Sequence, residues 1–338
     1  MLGAPTYLEA VVRRVYCPCT GSEQVEEVPW SRPAAKVTRS LEKAVAVLSR
    51  TTDTTTAARH FGLSWRTVNA IEGRYAEEQL TPMRFEGLCA IGVDEVSHRR
   101  GHQYLTVVVD LLRGDVVWIG EGRSQETLEG FFREIGPERC RTIDVVATDL
   151  HVPYHSAVRR FAPQADLAFD HFHLVKLLND GLDDLRREEF RRLEQDERSW
   201  LKGTRWAVLK DPAHLTPRQA QTLDELARHN RRLYRAYLLK EEFRHAWVVG
   251  NVELSRRRLQ RWLQWAVRSR IRQLVRFAHT VKEHLAGILR AIELGISTAT
   301  VEGTNNKIKT IVKRAYGFLN LQNFIRAIYF RCLDFEIT

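Results

Sequence analysis

No apolar run in this 338-residue chain reaches the roughly 18 residues that a membrane-spanning helix needs. The N-terminal MLGAPTYLEAVVRRVY lacks the unbroken apolar core of a secretory signal, so the expected compartment is the cytosol. Cysteine is scarce: Cys17, Cys19, Cys89, Cys140 and Cys332 are odd in number and mostly set in apolar stretches, which argues for reduced thiols rather than a disulfide framework. No fixed-period repeat and no low-complexity linker occurs, which excludes a solenoid and wholesale disorder. What remains is ordinary globular composition, 44% hydrophobic and 28% charged, in a chain long enough for two or three buried cores.

Charge is unevenly placed. The whole chain carries a formal net charge of +10, yet residues 231–338 hold 21 Lys and Arg against 8 Asp and Glu, leaving the first 230 residues slightly acidic. A strongly basic half favours a polyanionic partner, although solvated helix faces use the same residues. Motifs decide between the two.

In KVTRSLEKAVAVLSR, residues 36–50, the apolar Val37, Leu41, Val45 and Leu48 mark one face of a helix. The following stretch places small Ala57 and Ala58 on a short helix, Gly62 at a tight turn, and Ser64 as cap of a second helix that turns Val68 and Ile71 inward. That is a helix-turn-helix pattern, with Trp65, Arg66, Thr67, Asn69 and Arg74 left to meet DNA. A plain helical hairpin uses Ala and Gly in the same way.

From residue 87 the period changes. LCAIGVDEV, QYLTVVVDLL and GDVVWIGEG read as strands of a meander, with Gly114-Asp115 as a turn; a helix SQETLEGFFREI, a buried strand TIDVVATD, a helix VPYHSAVRRFA and a short strand ADLAFD follow. A ribonuclease-H-like sheet begins in this order. After Asp170 the pattern is helical, with five tryptophans and only Pro212 and Pro217 as interruptions, for roughly 120 residues. The arginines from Arg256 to Arg272 around Trp262 and Trp265 offer a DNA clamp, although rings at helical spacing are more often core.

Asp94 follows LCAIGV and Asp149 ends VVAT, so both carboxylates are expected to project from the ends of neighbouring strands, where hard cations such as Mg²⁺ are held. Strand-end acids are common in α/β proteins, and Glu95 and Asp110 rival Asp94; alternation lets only one of Asp94 and Glu95 face a site. A third acid lies in TVEGTNNKIKTIVKRAYGF, where Val301, Ile308, Ile311 and Ala315 form a core stripe and Glu302, Asn305 or Asn306, Lys309 and Lys313 line the adjacent face. Glutamate followed by amide and ammonium donors sets a metal ligand beside groups that grip phosphate. In FDHFH, Asp170, His171 and His173 are either accessory site residues or a helix cap with packed histidines.

The runs IGVDEVSHRRGHQYLTVVVDL, TDLHVPYHSAV, FDHFHLVKLLN and VEGTNNKIKTIVKRAYGF resemble successive blocks of the DDE transposases of the ISL-three insertion-sequence family. The resemblance runs from about residue 88 to the C-terminus, and the helix-turn-helix fits the family's N-terminal half. It implies a mixed α+β fold: a ribonuclease-H-like catalytic core interrupted by an all-α insertion and preceded by a helix-turn-helix domain. The expected divisions are 1–35 as a remnant of a zinc-ribbon-like segment, 36–86 as the DNA-binding domain, 87–172 as the first part of the core, 173–290 as the insertion and 291–338 as the closing helices of the core.

By the same resemblance Asp94, Asp149 and Glu302 form a catalytic triad that binds two Mg²⁺ ions, with Mn²⁺ as a substitute. Lys309, seven residues after Glu302, contacts transposon-end DNA together with Asn305, Asn306, Lys307, Lys313 and Arg314, while Arg66, Thr67 and Asn69 serve the helix-turn-helix. The implied reaction is hydrolysis at terminal inverted repeats followed by attack of the freed 3′-hydroxyl on target DNA, with no Ser or Tyr nucleophile. The implied partners are both DNAs and further copies of the chain, at least a dimer because two ends must be joined, in a cytoplasmic, nucleoid-associated setting without a membrane. A catalytically inactive DNA-binding regulator and a nuclease without strand transfer are the rival readings. Family members usually begin with two Cys-x-x-Cys pairs; here only Cys17-Pro-Cys19 appears, two thiolates cannot complete four-coordinate zinc, and no zinc is expected.

Overall fold

The computed structural model describes residues 7–33, 35–99, 103–149, 151–169, 171–193, 203–248, 251–295, 299–315, 317–335 and 337. Two compact units divide the chain: one gathers residues 1–84 and 308–338, and the other holds residues 85–307.

The first unit opens with a hairpin of β1 (Arg14–Cys17) and β2 (Ser22–Val25), whose turn brings the Cys17 and Cys19 sulfurs to 2.8 Å. Three helices follow, α1 (Arg39–Thr51), α2 (Thr54–Phe61) and α3 (Trp65–Gln79). Asp53 caps α2 through the Thr56 N–H, Gly62 closes it in the left-handed conformation at φ 65°, and Ser64 caps α3 through the Thr67 N–H. Ala57, Ala58, Val68 and Ile71 are buried between these helices, as their spacing predicts. The buried stripe of α1 is rotated from the apolar one. It contains Glu42, Val45, Ala46 and Ser49, because Arg32 and Arg74 both hydrogen-bond the Glu42 carboxylate and so compensate its charge. Arg74, expected on the DNA-facing surface, is committed to this network instead.

A helix at the far end of the sequence completes this unit. α14 (Leu321–Cys332) packs against α3, and Arg331 pairs with Glu72 at 3.0 Å, both nearly inaccessible to solvent. Arg50 donates to the carbonyls of Leu333 and Phe335, each at 2.7 Å. Grouping residues 291–338 with the sheet, as chain order suggests, therefore does not describe residues 308–338. The apolar face of α14, with Phe324, Ala327 and Ile328, needs a partner, and α3 supplies it.

The second unit is built on a five-stranded sheet of order β5-β4-β3-β6-β7. β3 (Ala90–Arg99), β4 (Gln103–Asp110) and β5 (Val116–Glu121) form the antiparallel meander, and β6 (Val145–Thr148) and β7 (Asp166–Phe169) continue it in parallel. One face carries Ile91, Val93, Val108, Val117 and Val146 against α4 (Gln125–Cys140) and α5 (Val152–Phe161), through Leu128, Phe131, Phe132, Tyr154 and Val158. The other face carries small residues, Ala90, Ala147 and Ala168 beside Val145.

Among the described residues, the helices that follow the last strand within this unit include α6 (His171–Arg192), α7 (Thr204–Leu209), α8 (Pro217–His229), α9 (Arg231–Ala246), α10 (Val252–Arg268), α11 (Arg272–Glu283) and α12 (Leu285–Glu293). They share a core that includes Leu178, Leu233, Phe243, Trp262 and Phe277. The Trp262 indole N–H donates to the Leu239 carbonyl at 2.7 Å, so this ring is core rather than a DNA platform. α12 returns to the small-residue face of the sheet, where Ala291 joins Ala90, Ala147 and Ala168. α13 (Ala299–Arg314) then carries the chain from this unit into the other.

Two substitutions test this packing. A Cβ at Gly287 would lie 1.4 Å from the Leu167 carbonyl oxygen, so Gly287→Ala must push α12 off β7. It is expected to cost about 3 kcal/mol or more in urea unfolding. Arg331→Met leaves Glu72 without its counter-ion in a site where burial already raises its carboxyl above the usual range. A loss of about 3–5 kcal/mol is expected, with a smaller loss when Glu72→Gln is added.

Candidate active site and nucleic-acid interface

Register brings the two predicted aspartates together. Val93 pairs with Thr148 as the last step of the parallel β3–β6 ladder, so Asp94 and Asp149 occupy the next position on adjacent strands. Side-chain alternation places both on the face of Ala90, Gly92 and Ala147. One detail departs from the strand-end expectation: β3 does not stop at Asp94 but runs on to Arg99, because β4 continues to pair with it on the other side, Asp94 opposite Val107. Asp94 thus sits within a rigid strand, at the point where only one neighbour remains.

Both oxygens of Asp94 are occupied by donors. The Glu95 N–H reaches Oδ1 at 2.7 Å and the Asn305 amide donates to Oδ2. Burial raises the Asp94 carboxyl above the usual aspartate range and the like charge of Asp149 adds to the effect, whereas the Glu95 N–H, His173 and Asn305 favour the ionised form. Asp149 accepts the His151 N–H at 3.1 Å, and its main-chain carbonyl meets His155 Nε2 at 3.0 Å. Burial lowers the basicity of His155, against the pull of that carbonyl and of the Asp149 charge.

Glu95 points to the opposite face yet is not remote. His151 Nδ1 lies 3.7 Å from one of its oxygens and Arg123 lies 3.7 Å from the other, and Arg123 stacks over Tyr104 at 4.3 Å. Desolvation raises the Glu95 carboxyl, with Asp149 contributing in the same direction. The Tyr154 hydroxyl, 2.9 Å from Thr106 Oγ1, is pushed well above its normal range by burial. This Glu95, His151 and Arg123 group was missed in the sequence, where Glu95 was read only as a rival to Asp94. The available signal was His151 two residues after Asp149, within TDLHVPYH.

The remaining expected site residues divide by their surroundings. Glu302 lies in the first turn of α13, one turn before Asn305, and its side chain falls outside the described residues. Asn305 is buried against Asp94 and so is not open to DNA, while Asn306, Lys307, Lys309 and Lys313 are exposed. Arg314 is exposed but donates to the Thr51 carbonyl at 2.7 Å. His171 packs against Trp247, with ring centroids 4.6 Å apart, and Asp170 lies outside the described residues. On α3, Trp65 and Arg66 are exposed and Thr67 and Asn69 half-buried, Thr67 sharing a 2.8 Å hydroxyl contact with Ser64.

Two like-charged carboxylates side by side, with no Lys or Arg paired to either among the described residues, make a set that a hard divalent cation would suit. Among the described residues no group of three or more His, Cys, Asp or Glu side chains is close enough to hold a metal by itself.

Comparison with known proteins accords with this arrangement. Residues 91–328 match the DDE domain described as "Transposase" of ISL3 type, and residues 26–76 match the "Helix-turn-helix domain of transposase family ISL3". A transposase for insertion sequence element IS1557 of Mycobacterium tuberculosis is 36% identical over 343 residues, covering 94% of this chain and 77% of the relative. A transposase for insertion sequence element IS1001 of Bordetella parapertussis is 33% identical over 319 residues, covering 94% and 79%. The chain is a DNA-binding transposase with a helix-turn-helix domain followed by a DDE domain, and it belongs to the ISL3 family. DDE transposases as a class use divalent metal, and no described helix is long and apolar enough to cross a membrane.

Asn305→Asp would set a third carboxylate against Asp94. Its thermal midpoint in EDTA is expected to fall by the equivalent of about 1–3 kcal/mol, with part of the loss restored by millimolar Mg²⁺, as differential scanning calorimetry would record.

Proposed function

We propose that this transposase has a ribonuclease-H-like core and carries out Mg²⁺-dependent cleavage and strand transfer at the ends of an insertion sequence, with Asp94, Asp149 and Glu302 as ligands of two ions. The observation that carries the reading is the β3–β6 register, which seats Asp94 and Asp149 at the same level on one face of a sheet ordered β5-β4-β3-β6-β7. Mn²⁺ fits the same oxygen donors. Bound there, the ions would activate a water or 3′-hydroxyl for attack on the scissile phosphate and stabilise the leaving oxygen.

The chain's own residues do the positioning. Asp94 meets the ions already oriented by the Glu95 N–H and the Asn305 amide, and Asp149 by the His151 N–H. Glu302 lies three residues before Asn305 on α13. Lys309, with Lys307, Lys313 and Asn306, holds phosphates of the element's ends, while Arg314 and Asn305 support the fold around them. Arg66, Thr67 and Asn69 contact the terminal inverted repeats from α3. His173 favours the ionised Asp94, and His171 and Asp170 are assigned as accessory residues.

The functional divisions we assign are 36–86 for DNA binding, 87–172 for the first part of the core and 173–290 for the insertion, with the closing segment divided at residue 307. Because two ends must be cut and joined, the working form on DNA is at least a dimer, acting in the cytoplasm on the nucleoid.

The test is to incubate the purified chain with duplexes bearing the element's ends in Mg²⁺ or EDTA, beside Asp149→Ala and Glu302→Ala. Cleavage and joining should require metal and fall at least about a hundredfold in each variant while end binding persists. Full activity in either variant would overturn the triad. Cut ends never joined would mark a nuclease, and salt-sensitive binding without cutting a regulator.

A further inference from the structure

Residues 254–282 contain eight arginines and one lysine and not a single Asp or Glu. All eight arginines are exposed. Those near the start of α10 have local partners: Arg256 and Arg257 pair with Glu253, and Arg258 donates to the His245 carbonyl. Toward the corner between α10 and α11 the partners run out. Among the described residues, the side chains of Arg261, Arg268, Arg270, Arg272 and Arg276 make no ion pair and no hydrogen bond within the unit. On α10, Arg261, Trp265 and Arg268 recur at spacings of four and three, one outward stripe opposite the buried Leu259, Trp262 and Ala266.

The corner itself holds an outlier. Arg270, at φ 57°, is the one non-glycine among the described residues with a left-handed backbone; the comparable turn after α2 uses Gly62 at φ 65°. A Cβ in that region costs free energy that glycine does not. Nor does the Arg270 side chain hold the turn. Ser269 does so, its hydroxyl donating to the Ala266 carbonyl at 2.6 Å and accepting the Ile271 N–H at 3.2 Å. An exposed arginine kept in a strained position, with no intramolecular use, points to something outside the chain.

We infer that the α10–α11 corner is a second DNA contact, in which Arg261, Arg268, Arg270, Arg272 and Arg276 bind backbone phosphates and Trp265 packs against the strand they hold. Guanidinium forks suit phosphate oxygens, and none of these five guanidiniums is paired with an acid among the described residues. Such a contact is indifferent to sequence, in contrast to the one made by α3. The inference rests on the chain binding DNA and is independent of the metal triad.

The experiment measures the dissociation constant of the full chain against salt for two duplexes, one with the element's ends and one of random sequence, together with thermal unfolding. Arg270→Gly should raise the unfolding midpoint while lowering the slope of log Kd against log salt by about 0.9 on both duplexes. The triple change R261A/R268A/R272A should lower the slope by about 2 to 3 and weaken both duplexes alike. Arg66→Ala should erode the preference for the element's ends and leave the corner's share of the slope. A lower midpoint in the glycine variant would mean that Arg270 serves the fold, and unchanged slopes in both corner variants would remove the corner from the interface; either overturns the inference. Wild-type chain with no salt-sensitive binding to either duplex would overturn the DNA-binding reading as well.

Discussion

Two carboxylates cannot be held side by side at a half-buried position unless something rigid opposes their repulsion, and here the opposing element is a parallel ladder. β3 and β6 pair from Ala90 with Val145 to Val93 with Thr148, and the next residue on each strand is an aspartate. Small side chains around them, Ala90, Gly92, Ala147 and Ala168, let α12 approach so closely that Gly287 leaves no room for a methyl group. The meander on one side and the helices on both faces keep those strands from sliding. A slip of one residue by either strand would send its aspartate to the face of α4 and α5.

The donors around Asp94 and Asp149 belong to the same logic. Main-chain N–H groups of Glu95 and His151 and the amide of Asn305, all uncharged donors, fix the two carboxyl groups. An arginine in place of Asn305 would pair with Asp94 and cancel the charge on which the proposed metal site depends. Arg123 is instead directed to Glu95 on the other face.

Local chemistry was legible and long-range chemistry was not. Ala57, Ala58, Gly62 and Ser64 announce the helix-turn-helix because capping, turn conformation and close crossing are all decided within a dozen residues. The meander and the positions of Asp94 and Asp149 follow from period-two runs and turn residues. By contrast, Arg74 looks like a DNA contact until Glu42, 32 residues earlier, claims it. Asn305 looks like a surface amide on a helical wheel, and only its pairing with Asp94, 211 residues away, turns it inward. The Glu72–Arg331 pair spans 259 residues and leaves no trace in either local pattern. In each case a polar side chain chose its environment by a partner that no window of the sequence contains.

The discontinuity of the first unit bears on how the protein is made. Its recognition helix α3 is covered by α14, and α1 is tied through Arg50 to carbonyls at residues 333 and 335. Between residues 84 and 308 the ribosome must deliver the entire second unit, a delay on the order of ten seconds or more. During that time the nascent helix-turn-helix lacks its cover and Glu72 lacks its counter-ion. Synthesis itself thus acts as a timer: a chain interrupted before its last helix carries a sheet already formed but an unfinished reader of DNA.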